Sequence, residues 1–197
     1  MPPKPLGLTL NEFFRNLSYG ELSNLSIAVE SIGTIKKSQQ NRIVHYINVG
    51  LLALHERFPL IQETLVIPLT PGFGMAQTLP PDTIQVLSIQ DPSGKSLDFT
   101  TVPRPKGIYI YNQILNVPPQ DEELELTVRL QKRHPTLEPV IEDVDLEQRI
   151  QLIPELHKAL SAFVASEFYG TMGTQETLVL SAQYRNRYEE ICAGARN

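Results

Sequence analysis

Hydrophobic residues recur at helical spacing in the first third of the chain. The spacing predicts a helix from about Ser38 to Phe58. Proline has no N–H to donate and its ring clashes with the preceding turn, so Pro59 ends this helix. The stripe that would be buried comprises Ile43, Ile47, Leu51 and Leu54.

Two shorter helices are predicted before it, from the spacing of polar residues that cap helix starts. Thr9 and Glu12 stand three residues apart, and Ser18 and Glu21 repeat that spacing. A hydroxyl followed by a carboxylate at this distance satisfies the first free N–H groups of a helix. The first pair predicts a helix through Leu17, and the second predicts another that ends near Gly33.

The middle of the chain has the short, partly alternating hydrophobic runs of β-strands. Four such runs cover residues 64–67, 83–89, 108–111 and 124–130, and the segment 91–94 (Asp-Pro-Ser-Gly) is a turn signal. Ten of the sixteen prolines lie in residues 59–119. Because proline cannot donate to a β-ladder, the strands here are expected to be short and joined by stiff loops.

The last third returns to helical spacing. Proline is well tolerated in the first turn of a helix, so Pro154 predicts a start, and Gly170 predicts an end. A final helix is predicted from about Gln175 to Cys192. Its buried face is expected to hold Leu178, Ser181, Tyr184, Tyr188 and Ile191.

These patterns predict an α+β fold. Residues 1–60 and 136–197 are expected to form a helical bundle, and residues 61–135 an inserted, proline-rich, antiparallel β subdomain.

Charge and composition exclude some classes of protein. The net charge of −5 argues against a general nucleic-acid binder that works through a basic face. Most of the acidity lies in residues 119–150, which form either a solvated face or a surface that repels DNA or docks a basic partner. The single cysteine, Cys192, excludes an internal disulfide framework. No apolar run is long enough for a membrane span.

Signals of catalysis are weak throughout the sequence. No two histidines have the i, i+4 spacing of a zinc site, and Cys192 lies where the helix dipole disfavours a thiolate. We therefore expect no catalytic residue, no metal and no cofactor. An enzyme with a proline-rich β subdomain is an alternative, and the segment 72–75 (Gly-Phe-Gly-Met) and three pairs of adjacent acids are its only support. These pairs are Glu122/Glu123, Glu142/Asp143 and Glu189/Glu190.

Two groups of residues have the character of contact surfaces. In the β region, Phe73 and Met75 belong to a loop that is either a contact loop or a simple connection. Arg104, Lys106 and Tyr109 interleave basic and aromatic residues, as at a hairpin tip that touches DNA, but are too few for affinity.

The final helix carries the second group. Tyr184, Arg185, Arg187 and Tyr188 are of the types that anchor interfaces. Alternatively, both tyrosines pack inward against Leu160 and Phe163.

The order of the three regions, with several local motifs, resembles the head-to-tail adaptor proteins of short-tailed bacteriophages. The N-terminal match runs through residues 17–25 (Leu-Ser-Tyr-Gly-Glu-Leu-Ser-Asn-Leu), 33–35, 47–54 and 57–59. The C-terminal match includes Ile153-Pro154, Ala159-Leu160 and Phe168-Tyr169-Gly170, and continues to Tyr184 and Tyr188. For the β region the resemblance lies only in its β-rich character, without matching residues.

The resemblance implies a structural virion protein. It would form a ring, expected to hold twelve copies, between the portal protein and the tail nozzle or another tail component, with a channel through which double-stranded DNA passes. The resemblance places the C-terminal segment against the portal, which makes Tyr184, Arg185, Arg187, Tyr188 and Arg196 the docking candidates. The β-rich part would face the tail, with Phe73, Met75, Arg104, Lys106 and Tyr109 as contact or channel-loop candidates.

The expected location is the virion, after assembly in the host cytoplasm and without a membrane partner. Another neck or tail structural protein, a nozzle or a head-completion component, is the alternative.

Overall fold

The chain folds as a helical unit and a β unit. The computed structural model describes residues 7–23, 35–104 and 106–195. The helical unit takes the chain up to Leu54 and again from His134, and the β unit is His55–Arg133. Apart from one two-stranded ladder in the helical unit, helices and sheets occupy separate stretches of the chain, so the predicted α+β class is confirmed.

The first helix is the one that the capping spacing predicts. β1 (Leu8–Thr9) leads into α1 (Leu10–Tyr19), and Thr9 caps it. The Thr9 hydroxyl accepts from the Glu12 N–H at 3.1 Å, while the Glu12 carboxylate accepts from the Thr9 N–H at 2.8 Å. The buried face of α1 holds Leu10, Phe13, Phe14, Leu17 and Ser18.

The second capping pair does not start a helix at Ser18. α1 continues to Tyr19, and the Ser18 hydroxyl donates back to the Arg15 carbonyl oxygen at 2.8 Å, as serine does inside a helix. Most of the helix predicted to end near Gly33 falls in residues 24–34, which lie outside the described residues.

Three longer helices complete the helical unit. They are α2 (Lys37–Arg57), α3 (Pro154–Gly170) and α4 (Gln175–Gly194), and all three confirm the predicted spans to within a few residues. α3 is the most deeply buried, from Ala159 to Ser166 without interruption. Its aromatic side chains meet α2 and α4, with Phe168 edge-on to Tyr46 at 6.4 Å and Phe163 against Tyr188 at 5.3 Å between ring centroids.

A connector precedes α3 in the helical unit. It contains a short 3₁₀ helix, Asp143–Glu147, and then β9 (Arg149–Ile150), which pairs with β1 in an antiparallel ladder.

The β unit contains a three-stranded and a four-stranded sheet. The first is antiparallel, with β8 (Leu124–Lys132) between β2 (Ile61–Leu69) and β4 (Thr83–Gln90). Pro68 lies in β2, an edge strand, where a missing N–H costs no ladder bond. β4 carries two register shifts, which break the alternation of its hydrophobic residues.

The four-stranded sheet runs in the order β3-β7-β6-β5. Its strands are β3 (Met75–Thr78), β5 (Phe99–Thr100), β6 (Ile108–Tyr111) and β7 (Ile114–Val117). The pair β5–β6 is parallel, which makes this sheet mixed, whereas the other ladders of the β unit are antiparallel as predicted. β6 and β7 are joined by Asn112 and Gln113, both with positive φ.

Both sheets contribute to one hydrophobic core. β2, β7 and β8 point alternate aliphatic side chains into it, which fixes the register of these three strands, since a one-residue slip would expose the whole set. β4 adds Ile89. The core residues are Ile67, Leu69, Leu79, Ile89, Leu115, Val117, Leu126, Val128 and Leu130.

Candidate functional site

A recess on the four-stranded sheet brings together three of the five predicted tail-contact residues. Its volume is about 300 Å³ and it is open to solvent. Met75, Arg104 and Tyr109 line it, whereas Phe73 and Lys106 are exposed next to lining residues. The remaining lining residues are Gly74, Ala76, Gly107, Asn116, Val117 and Pro118.

The strand register explains why the recess forms at this place. Ala76, Asn116 and Tyr109 stand opposite one another across β3, β7 and β6. Leu115 and Val117 point into the core, so Asn116 between them faces outward, and the row lies on the outer face of the sheet. The short side chain of Ala76 and the bare backbone of Gly74 leave the space that the larger neighbours surround.

Arg104 supplies the charge of this recess. It comes from the loop between β5 and β6, and no lining residue is acidic. Among the residues that the structure describes, no carboxylate forms an ion pair with Arg104. A guanidinium beside a phenol ring and an amide can bind a carboxylate together with an adjoining apolar group.

The tyrosines of α4 pack inward, Tyr188 against Phe163 as in the alternative raised from the sequence and Tyr184 against Tyr169. Tyr188 is 2% exposed and contacts Phe163. Tyr184 stacks on Tyr169 with parallel rings 5.6 Å apart, and both phenols donate to the carbonyl oxygen of Glu21. Burial raises the pKa of Tyr169 and of Tyr184, so both phenols keep their protons as donors. In this conformation Tyr188 offers no surface to a partner.

The arginines of α4 lie at its surface. The Arg185 guanidinium lies over the rings of Phe163 and Tyr188, at 5.2 and 5.7 Å from their centroids, and is 3.5 Å from Glu167. Arg187 lies 4.0 Å from Glu21. Arg196, the fifth docking candidate, lies outside the described residues.

The outward face of α4 carries apolar side chains that the sequence pattern did not assign to the surface. Leu178, expected on the buried face, is 50% exposed, and Val179 is 53% exposed. Both follow the capped N-terminus at Thr174, and only Tyr188 and Cys192 of the whole helix are fully buried. The helical spacing of Leu178 was misleading because it lies at the margin of the stripe centred on Tyr184 and Tyr188.

The acidic pairs and the first two residues of the segment 72–75, on which the enzyme alternative rests, are exposed. The six acids of the adjacent pairs are all exposed, and Gly72 and Phe73 lie in an exposed turn. Within residues 7–23, 35–104 and 106–195, no group of three or more histidines, cysteines or acids could hold a metal ion. No helix of that part of the chain is long and apolar enough to cross a membrane.

Comparison with other proteins leaves these surfaces to be interpreted from their own chemistry. Neither the protein-family models nor the curated proteins compared with this chain give a match.

Proposed function

We propose that this protein is a structural component of a virion, a head-to-tail adaptor that forms a ring between the portal and the tail. The proposal rests on one structural observation and on the resemblance to head-to-tail adaptor proteins, which lies in the order of the three regions of the chain and in several local motifs. The observation is the exposed surface of α4, a helix of 20 residues, on which the apolar Leu178 and the basic Arg185 lie on one side.

The composition of this surface suits a protein partner. Leu178 and Val179 are each about half exposed at the N-terminal end of α4, and Arg185 and Arg187 follow further along the helix. Leu178 and Arg185, seven residues apart, lie on one side of the helix, whereas Arg187 lies on the side opposite Leu178. Arginine is enriched at protein interfaces, and exposed apolar side chains add contact area. Arg185 is also held in place by the rings beneath it, so little side-chain entropy would be lost on binding.

The net charge agrees with a channel for genome passage. A duplex slides past a surface with little affinity when few cations neutralise its phosphates, and the chain carries 17 basic against 22 acidic residues. A ring of identical subunits would repeat this charge around the axis.

A substitution on α4 tests docking to the portal. Leu178→Asp places a charge in the apolar face and is expected to weaken binding to portal rings at least about tenfold. Asn11→Asp adds the same charge at an exposed position of α1 and is the matched control. Titration of labelled protein against portal rings measures both, and equal affinities for wild type, control and Leu178→Asp would contradict this role of α4.

Another neck or tail protein, a nozzle or a head-completion component, is the second candidate, because the same helix face would serve it. Direct binding to the portal separates the two, since only the adaptor contacts the portal itself. If the chain binds a tail component but no portal ring, the second candidate replaces the first.

A further inference from the structure

Four large apolar side chains stand out as the most exposed in the described part of the chain, and they lie in two places. Phe73 is 72% exposed and Val102 is 63% exposed, and each lies one or two positions along the sequence from a residue that lines the recess. Ile141, at 82%, and Val144, at 68%, lie in the connector before α3. We call residues 138–147 the acidic knob. Large apolar side chains that are this exposed and lie near one another in the chain are typical of contact surfaces.

The two places have opposite charge. The loop that contributes Arg104 to the recess also carries Lys106, and residues 100–107 contain no acid. The acidic knob contains Glu138, Glu142, Asp143, Asp145 and Glu147 and no basic side chain. Its one ion pair within the described residues, between Asp143 and Lys37, is highly exposed on both sides and contributes little to stability.

The acidic knob is held in shape before any contact. The Asp145 carboxylate accepts from the N–H groups of Ile141 and Glu142, at 2.8 and 2.9 Å, and these bonds lower the pKa of Asp145. Gln148 adds two further bonds, donating to the Glu138 carbonyl and accepting from the Glu138 N–H. Ile141 therefore projects from a preorganised turn, which reduces the entropy lost on binding.

We propose that the acidic knob of one copy of this protein docks into the recess of a second copy. Ile141 would enter the recess of about 300 Å³ above Tyr109, with Phe73 and Val102 covering its sides. Glu142 and Asp143 would meet Arg104 and Lys106. The contact is heterologous, because each copy offers a different surface to each neighbour, so it propagates from copy to copy and can close into a ring. It specifies the subunit contact of the adaptor proposed above and rests on that function.

Charge reversal tests the contact between the acidic knob and the recess, and a mixture of the two reversed variants serves as the control. Arg104→Glu with Lys106→Glu makes the recess acidic, and Glu142→Lys with Asp143→Lys makes the knob basic. Each double variant alone juxtaposes like charges and is expected to raise the dissociation constant of self-association at least about tenfold. An equimolar mixture restores opposite charges at every contact and is expected to recover assembly. Sedimentation velocity over a range of protein concentrations, with and without portal rings, measures the self-association of each double variant and of their mixture.

Removal of the apolar knob gives a second, independent readout. Ile141→Ala is expected to weaken assembly, whereas Ile153→Ala, which removes the same side chain from a position 44% exposed, is expected to leave it unchanged. Circular dichroism and thermal unfolding of each variant verify that it is folded.

The outcomes separate this inference from the function on which it rests. If wild type forms rings and the reversed variants form them equally well, the subunit contact is elsewhere. That result would contradict the proposed contact between knob and recess but not the adaptor function. If wild type stays monomeric at every concentration and on portal rings, both fall. Binding of duplex DNA that is lost in Arg104→Glu with Lys106→Glu, without any effect on assembly, would assign the recess to nucleic acid and overturn the inference.

Discussion

The absence of a side chain at Gly50 lets α2 and α3 pack closely together. Gly50 lies on α2 where a Cβ would come 2.7 Å from Leu160 Cδ1 and 2.8 Å from Phe163 Cδ1 on α3. Helix propensity alone would favour alanine in the middle of a helix. The glycine is therefore explained by packing, and a sequence pattern that records only apolar positions does not reveal it.

Gly50→Ala is expected to destabilise the protein by about 1–3 kcal/mol, because the new methyl group forces α2 and α3 apart. Gly194→Ala is the matched control, since no atom lies within 4 Å of a Cβ at that position of α4. Urea unfolding of both variants measures the difference. A Gly50→Ala protein as stable as the control would show that the two helices do not meet at this distance.

His134 is expected to make the stability of the protein depend on pH near neutrality. Its ring is 9% exposed, with Nδ1 2.5 Å from the Pro135 carbonyl oxygen and Nε2 accepting from the Gln151 N–H at 2.8 Å. Both contacts require the neutral ring protonated on Nδ1, and burial lowers the pKa of His134. Burial lowers the pKa of His157 as well. The unfolded chain therefore binds protons first as the pH falls, so stability is full above about pH 6.5 and decreases below it.

The free energy of unfolding of wild type is expected to fall between pH 7.5 and 5.5, by at most about 1.4 kcal/mol per pH unit for each histidine. His134→Gln keeps an oxygen that can accept from the Gln151 N–H and cannot titrate, so its stability should depend less steeply on pH. Denaturant unfolding at several pH values gives both slopes. Parallel slopes would mean that His134 takes no part in the pH dependence.

At the scale of elements, the sequence predicts those features that depend only on neighbouring residues, such as the span and the cap of a helix. The span of α2 follows from one stripe and Pro59, and α1 follows from the cap at Thr9. β6, of the same length, was predicted, but β3 and β7 were not. β3 (Met-Ala-Gln-Thr) is poor in the β-branched and aromatic residues that mark β6, and the hairpin before β7 turns through Asn112 and Gln113 without a glycine. The recess was missed for the same reason. Arg104 and Tyr109 were named together, but their meeting with Met75 depends on the pairing of β3 with β7, which no local pattern records.

Thr9→Ala removes the acceptor of the Glu12 N–H and is expected to cost about 1 kcal/mol of stability. Thr9→Ser keeps the hydroxyl and should stay within about 0.5 kcal/mol of wild type. Thermal or denaturant unfolding distinguishes them. Equal losses in the two variants would trace the effect to the side-chain methyl group rather than to the cap.

At the scale of the whole molecule, three exposed surfaces carry the proposed assembly, namely the exposed surface of α4, the recess and the acidic knob. Helices fix the first, and stiff, proline-rich loops position the recess. This arrangement suits a subunit whose binding energy comes from repeated contacts around a ring rather than from a single catalytic centre.

The most direct test of the central claim is electron microscopy of the full chain mixed with portal rings, supported by native mass spectrometry of the same sample. We expect a closed ring of identical subunits seated on the portal, with twelve copies. A stable monomer with no affinity for the portal would contradict it.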